Sequence, residues 1–172
     1  MCDKSYLNQS LDQIVVLSIE SLTEDEASDI LSWRYPAPLD YYDPPSAAGV
    51  ELIRELLDPV NGFFGIRDSK RGFVGFCSFG EDGQVLGGKY DCHALDIGLG
   101  MKPEFISQGY GTEFFQAIVL FATETLEANS LRLTVADFNT RAIRIYERLG
   151  FEVMERFDEP VHGMPHTIMV RR

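Results

Sequence analysis

The stretch from Met101 to Gly111 joins the end of an apolar strand pattern to the start of a helix pattern, and it holds Pro103 and the pair Gly109 and Gly111. A glycine-bearing turn that opens a helix gathers free backbone N–H groups in a small volume. The helix dipole adds partial positive charge there, and phosphate oxygens bind at such places. The same spacing also makes a plain tight turn, so alone it does not define a ligand. Just upstream, Asp96, Gly98 and Gly100 alternate with Leu95, Ile97, Leu99 and Met101. Glycines on one strand face leave bare backbone that a ligand can approach, or else mark a bend made for packing. Other chemistries lack their residues. His93, His162 and His166 have no metal-ligand spacing, so no metal is expected and each is read as a satisfied structural histidine. Ser107 and Ser130 lack the Gly-x-Ser-x-Gly context of a nucleophile elbow. Glu81 to Gly88 holds three glycines, but no Lys-Ser/Thr follows them, so it reads as a hairpin connection.

These residues need elements to position them. Gln13 to Ile19 reads as a first strand, β-branched and apolar. Thr23 followed by Glu24, Asp25 and Glu26 is a helix start, and that helix should run to about Trp33 and stop before Pro36. From Trp33 to Pro45 there are four prolines and four aromatics in thirteen residues, a stiff loop that either walls a site or folds back on the core. Ser46 to Leu57 reads as a second helix. Asn61 to Asp68 and Gly72 to Phe79 form a hairpin, and Tyr90 to Met101 is the next strand. Thr112 to Leu126 is a helix with Phe114, Ala117, Ile118, Phe121 and Leu126 as its core stripe. Leu131 to Val135 is a strand, Asn139 to Leu149 a helix closed by Gly150, and Phe151 to Phe157 and His162 to Val170 the last strands. The order is that of a mixed α/β domain, one for the whole of residues 1–172 with a core from about 13 to 171.

The totals exclude several classes. A chain of 172 residues is long enough to bury a real core. A net charge of −12 opposes non-specific nucleic-acid binding, which needs a basic face. No run approaches the length of a membrane span, and the N-terminus has no signal pattern. Cys2, Cys77 and Cys92 form no Cys-x-x-Cys, which fits a reducing cytoplasm.

The stretch Asn139-Thr140-Arg141-Ala142-Ile143-Arg144-Ile145-Tyr146-Glu147-Arg148-Leu149-Gly150-Phe151 resembles the GNAT superfamily of acyl-CoA-dependent N-acetyltransferases. It carries the pattern Asn-x-x-Ala-x-x-x-Tyr-x-x-x-Gly-Phe, and lies about thirty residues past the Gly-x-Gly turn, as in that family. The two motifs in this order are far more specific than either alone. The resemblance implies a central, mostly antiparallel sheet of about seven strands with about four helices, in which the fourth and fifth strands splay into a V. Acetyl-CoA would lie there as cosubstrate. Leu99, Gly100 and Met101 would hold its pantetheine arm, and Ser107, Gln108, Gly109, Tyr110, Gly111 and Thr112 its pyrophosphate. Asn139 would contact it, and Tyr146 would be the general acid for the departing thiolate as well as a cofactor contact.

Two positions depart from the family pattern. Ile106 stands where Arg or Gln usually opens the turn. Because backbone donors carry most of the phosphate binding, affinity should be weakened rather than lost. Thr134 stands where some members carry a Glu base. An amine must be neutral to attack a thioester, which costs roughly 4–5 kcal/mol at pH 7 for a lysine-type amine near pKa 10.4 but only about 1 kcal/mol for an α-amine near 7.8. Asp96 is the candidate base in place of the missing Glu, through a water if needed, or else a structural acceptor. The Met101 N–H is the natural oxyanion donor. Trp33, Tyr35, Tyr41 and Tyr42 would wall the acceptor side.

The expected activity is therefore acetyl transfer from acetyl-CoA to a primary amine by direct attack in a ternary complex. The amine would belong to a small molecule, protein or peptide; no nucleic-acid or membrane partner is expected, and a homodimer is compatible. Ile106 and Thr134 keep open a non-catalytic acyl-CoA-binding or regulatory module. A dinucleotide site ranks last, lacking a third glycine and a downstream acidic ribose ligand.

Overall fold

The computed structural model describes residues 16–45 and 49–172. The expected start of the first strand and of the second helix, at 13–15 and 46–48, lies outside the described residues. Seven strands form one sheet: β1 (Leu17–Ser21), β2 (Phe63–Asp68), β3 (Gly72–Phe79), β4 (Leu95–Met101), β5 (Leu131–Ala136), β6 (Glu152–Asp158) and β7 (Pro165–Arg171). Their order across the sheet is β1-β2-β3-β4-β5-β7-β6. Every neighbouring pair is antiparallel except β4 and β5. That parallel pair needs a crossover, which α3 (Gly111–Leu120) supplies.

Helix α1 (Glu24–Ser32) begins on a complete capping box, with the Thr23 hydroxyl accepting from the Glu26 N–H and Glu26 reaching back to Thr23. It ends where Trp33 turns extended. Helix α2 (Val50–Leu57) packs beside it, and the two cover one sheet face through Leu22, Ala27, Ile30, Trp33 and Leu56. Helices α3 and α4 (Thr140–Arg148) cover the other face, where Phe114, Phe115, Ile118, Val119 and Tyr146 close over Ile97, Leu131 and Leu133.

Three expectations shift. The strand expected from Tyr90 begins at Leu95, because the Tyr90 hydroxyl is drawn to the Val85 backbone and to Thr134. The helix expected to Leu126 widens after Leu120 into a π turn over Phe121–Thr125. Ahead of the π turn, Phe115 and Val119 join Phe114 and Ile118 in the core, while beyond it Leu126 stays 39% exposed.

The feature that matters most for the site is where β4 and β5 part. They pair only at Leu95 with Leu131, Asp96 with Arg132 and Ile97 with Leu133. Beyond these, Gly98 to Met101 pairs with no strand but β3, and Thr134 to Ala136 with none but β7. An open wedge lies between them, as the family resemblance led us to expect.

Candidate active site

Backbone alternation decides what the wedge presents. The Leu95 N–H donates to Ser130 on the β5 side, whereas the Lys102 N–H donates to Val74 and the Asp96 carbonyl accepts from Gly80 on the β3 side. Odd-numbered residues of β4 thus turn their N–H and C=O toward β5. Past Ile97 no strand answers them, so Leu99 and Met101 present their peptide groups to the wedge. On the opposite arm, the Asp137 N–H goes to Pro165 beside β7, so the Ala136 N–H faces inward.

The proline-rich loop reaches both arms. The Tyr35 hydroxyl donates to the Met101 carbonyl at 2.8 Å. The Tyr42 hydroxyl accepts from the Ala136 N–H at 3.3 Å and also meets the Asn139 side chain. Burial, and then the Asp43 carboxylate, raises the Tyr35 phenol above its ordinary value and keeps it a donor. Tyr41 stacks edge-on to Tyr42 and Phe138 and is 37% exposed. A shallow open hollow beside it is lined by Ala37, Pro38, Asp40, Tyr41, Phe138 and Met164. Trp33 corrects an expectation. It is a core residue, packed between Phe73 and Phe76 with its indole N–H on Asp29, and it does not wall the site.

At the helix end of the wedge, Ser107 and Gly109 both take left-handed backbone, with φ of 62° and 89°. The turn thereby curls its N–H groups inward before α3 begins at Gly111. A Cβ on Gly109 would meet nothing within 4 Å, so the turn stands open, while one on Gly111 would lie 2.6 Å from Ile145 of α4. Glycine at that second position lets the start of α3 sit against α4. The Gln108 side chain is folded back on the Glu104 carbonyl. The Tyr110 ring lies under the Arg71 guanidinium, which also bonds its hydroxyl. Both residues therefore offer backbone, not side chain, to the turn. Ile106 brings no charge, but Arg141 of α4 donates to the Ser107 hydroxyl. This cation beside the turn was not picked out from the sequence, because nothing in the α4 pattern separates it from Arg144 or Arg148. Asn139 caps α4, accepting from the Ala142 N–H at 3.4 Å.

Tyr146 lies on the inner face of α4, with its ring 4.5 Å from that of Phe115 and 6.4 Å from that of Phe151. Burial, and then the nearby Tyr42 phenol, raises its pKa well above that of an ordinary phenol. Among the described residues its hydroxyl makes no hydrogen bond, yet no fully buried side-chain polar atom lacks a partner. The hydroxyl therefore reaches a solvent-touched surface, with its proton firmly held.

Asp96 is a second correction. Its oxygens accept from Arg132 Nε at 2.6 Å and Nη2 at 2.8 Å, and the Gln84 amide adds a third bond at 2.7 Å. The residue is 3% exposed. A carboxylate held on a guanidinium in the interior has no free lone pair facing an amine, so Asp96 is a structural anchor. Its strand face is also closed. A Cβ on Gly98 would meet the Ser78 hydroxyl at 2.3 Å, and one on Gly100 the Phe76 ring at 2.4 Å. Those glycines make room for packing; what opens to a ligand is the strand edge, not its face. His166 is held at both nitrogens, by the Met164 carbonyl at 2.8 Å and the Tyr41 hydroxyl at 3.4 Å.

The turn and wedge together fit a diphosphate carried on an amide-bearing arm: curled N–H groups, one adjacent arginine, the free peptide group of Leu99 and the free N–H of Met101. Residues 17–152 match the family model described as an acetyltransferase (GNAT) domain. No curated protein matches the chain. Among solved structures it is similar to a GNAT-family acetyltransferase from Bacillus anthracis, with a TM-score of 0.68 and 15% identity over 92% of this chain and 98% of that one. It is also similar to the spermidine N-acetyltransferase from Vibrio cholerae in complex with CoA and spermine, with a TM-score of 0.71 and 16% identity over 90% of this chain and 94% of that one. Those identities speak for the fold, and the sequence match over most of the length speaks for the family. The chain belongs to the GNAT family of acetyltransferases.

Proposed function

We propose that the protein transfers the acetyl group of acetyl-CoA to a primary amine by direct attack in a ternary complex. The observation that carries this reading is the unanswered peptide group of Leu99 and the free N–H of Met101, whose carbonyl is held by Tyr35, together with the open turn at α3. Acetyl-CoA would supply an activated carbonyl and a thiolate leaving group. Leu99 and Met101 would hold its amide arm, and the Met101 N–H would face the carbonyl oxygen as charge builds there. Backbone donors from Ser107 to Thr112, with Arg141 beside them, would hold the diphosphate; Arg141 offsets the missing side chain at Ile106. Asn139 would stay at the wedge as the α4 cap. Tyr146 would donate its proton to the departing sulfur.

The acceptor would be a small cationic amine. The Vibrio cholerae relative is named for spermidine and was solved with spermine. The hollow beside Tyr41 pairs the Asp40 carboxylate with the aromatic faces of Tyr41 and Phe138, a combination suited to an alkylammonium. We place the protein in the cytoplasm, where free thiols such as Cys77 and Cys92 stay reduced.

The test is a thermal melt with saturating acetyl-CoA, followed by a screen of polyamines and peptide amines for free thiol release. At about 100 times the dissociation constant, linkage adds roughly 2.7 kcal/mol. For a domain of this size that is a rise of roughly 5–11 °C. A rise with acetyl-CoA and none with NAD, followed by amine-dependent thiol release, is expected. A rise without turnover on any amine would leave a binding module instead.

A further inference from the structure

With Thr134 in the usual base position and Asp96 locked on Arg132, the amine proton needs another destination. One lies behind the hollow beside the β5 arm, reached through Tyr41. His166 lies opposite Ala136 in the register of β5 and β7 and is 2% exposed. Its Nδ1 meets the Met164 carbonyl at 2.8 Å. A carbonyl only accepts, so Nδ1 carries the hydrogen, and Nε2 is left with a lone pair. That lone pair faces the Tyr41 hydroxyl at 3.4 Å, which must then be the donor. Tyr41 in turn lines the open hollow with Asp40 and Phe138. The order is solvent-open hollow, phenol, imidazole, backbone carbonyl, each donating inward to the next.

We propose that His166, acting through the Tyr41 hydroxyl, receives the proton that the acceptor amine gives up. This rests on the acetyltransferase reading above. The second N–H proton of the amine leaves to solvent once the C–N bond has formed, but the ammonium must give up its first before its lone pair can attack. The Tyr41 oxygen takes that first proton while passing its own to Nε2, and His166 becomes an imidazolium held at Nδ1 by Met164. On the other side of Tyr42, Tyr146 gives one proton to the sulfur as the C–S bond breaks. One proton has entered at Tyr41 and one has left at Tyr146, and exchange with solvent resets both. Asp40 lines the same hollow, where its carboxylate attracts the ammonium.

The groups around His166 leave it able to take charge. From β6, the Phe157 ring stacks on it at 5.7 Å and carries none. From the loop, Tyr41 faces it directly, with Tyr42 and Phe138 behind. The Glu159 carboxylate acts on Tyr41, and is itself held by the Val161 and His162 N–H groups and the His162 ring. At the end of β5, Asp137 faces Thr167 and Arg156 instead. No cation is recorded against the ring among the described residues.

Two measurements test this. The first needs no cosubstrate: nitrogen-15 histidine NMR should show His166 protonated at Nδ1 and bare at Nε2, with the Nε2 signal moving in Tyr41→Phe. An Nε2–H tautomer overturns the relay. The second is the pH profile of kcat/KM for a polyamine acceptor. His166→Gln and Tyr41→Phe should each lose roughly 10²-fold or more near pH 7, and the deficit should shrink as pH approaches the amine's own pKa near 10. A deficit equal at every pH, or none, overturns the proposal while the wild type still turns over. No acetyl transfer by the wild type to any amine at any pH overturns the acetyltransferase reading itself, and this proposal with it.

Discussion

Tyr146 and Asp96 show how differently two side chains in one site can be read. The motif fixes the type and spacing of Tyr146, and the structure holds its phenol neutral through burial against Phe115 and Phe151, with the Tyr42 phenol nearby adding to the effect. Tyr146→Phe should lower kcat by roughly 10²–10⁴-fold while leaving the acetyl-CoA dissociation constant within about threefold. Turnover by stopped thiol assay and binding by calorimetry separate the two effects. Asp96 was not legible, because its partner Arg132 lies on a strand that reaches it only through the crossover. Breaking a buried pair costs roughly 3–5 kcal/mol, so Asp96→Asn should lower the melting temperature by about 6–20 °C and keep kcat per folded molecule. A large loss of kcat in a protein that melts normally would restore Asp96 as the base. Trp33 was misplaced for a similar reason. A loop aromatic looks the same in sequence whether it faces solvent or the core, and only the approach of Phe73 and Phe76 decides.

At the scale of elements, the succession of strands and helices along the chain and the crossover followed from periodicity, and the mostly antiparallel sheet with the splay of β4 from β5 followed from the resemblance. What alternation could not supply was which side of β4 would be covered. Gly98 and Gly100 are equally suited to admit a ligand or a neighbouring side chain, and here α1 and the Trp33 cluster push Phe76 onto the strand. Gly100→Ala would place a methyl 2.4 Å from that ring, which is already confined by Trp33 and Phe63. The expected cost is about 1–3 kcal/mol by urea denaturation. Ala at Gly109, with open space around it, should act instead through backbone strain in the turn and weaken acetyl-CoA binding more than stability.

For the whole molecule, the tight β2–β3 turn sets part of the acid limit. Burial opposes charge on Asp68, but the N–H groups of Lys70 and Arg71 and the Arg71 guanidinium outweigh it and hold the carboxyl below its usual value. A depressed carboxyl stabilises the fold fully above the unfolded value near 3.9, and that contribution is lost as pH falls through the lower folded value. Thermal melts between about pH 5 and 2 should therefore fall less steeply for Asp68→Asn than for the wild type. Parallel acid limbs would assign the loss to other carboxylates.

The seam between β4 and β5 has a mechanical consequence. Three residue pairs join a leaf of four strands to a leaf of three, and the Asp96–Arg132 pair is the middle one. The protein is thus an open book whose spine is three residues deep, stitched by one ion pair in the interior. Across the open margin, Tyr35 and Tyr42 act as a clasp from one flyleaf to both pages. Anything that enters the wedge presses against a spine this narrow, and cutting the stitch with Asp96→Asn should speed amide exchange at Ile97 and Arg132 before it is felt at Phe64 or Met169.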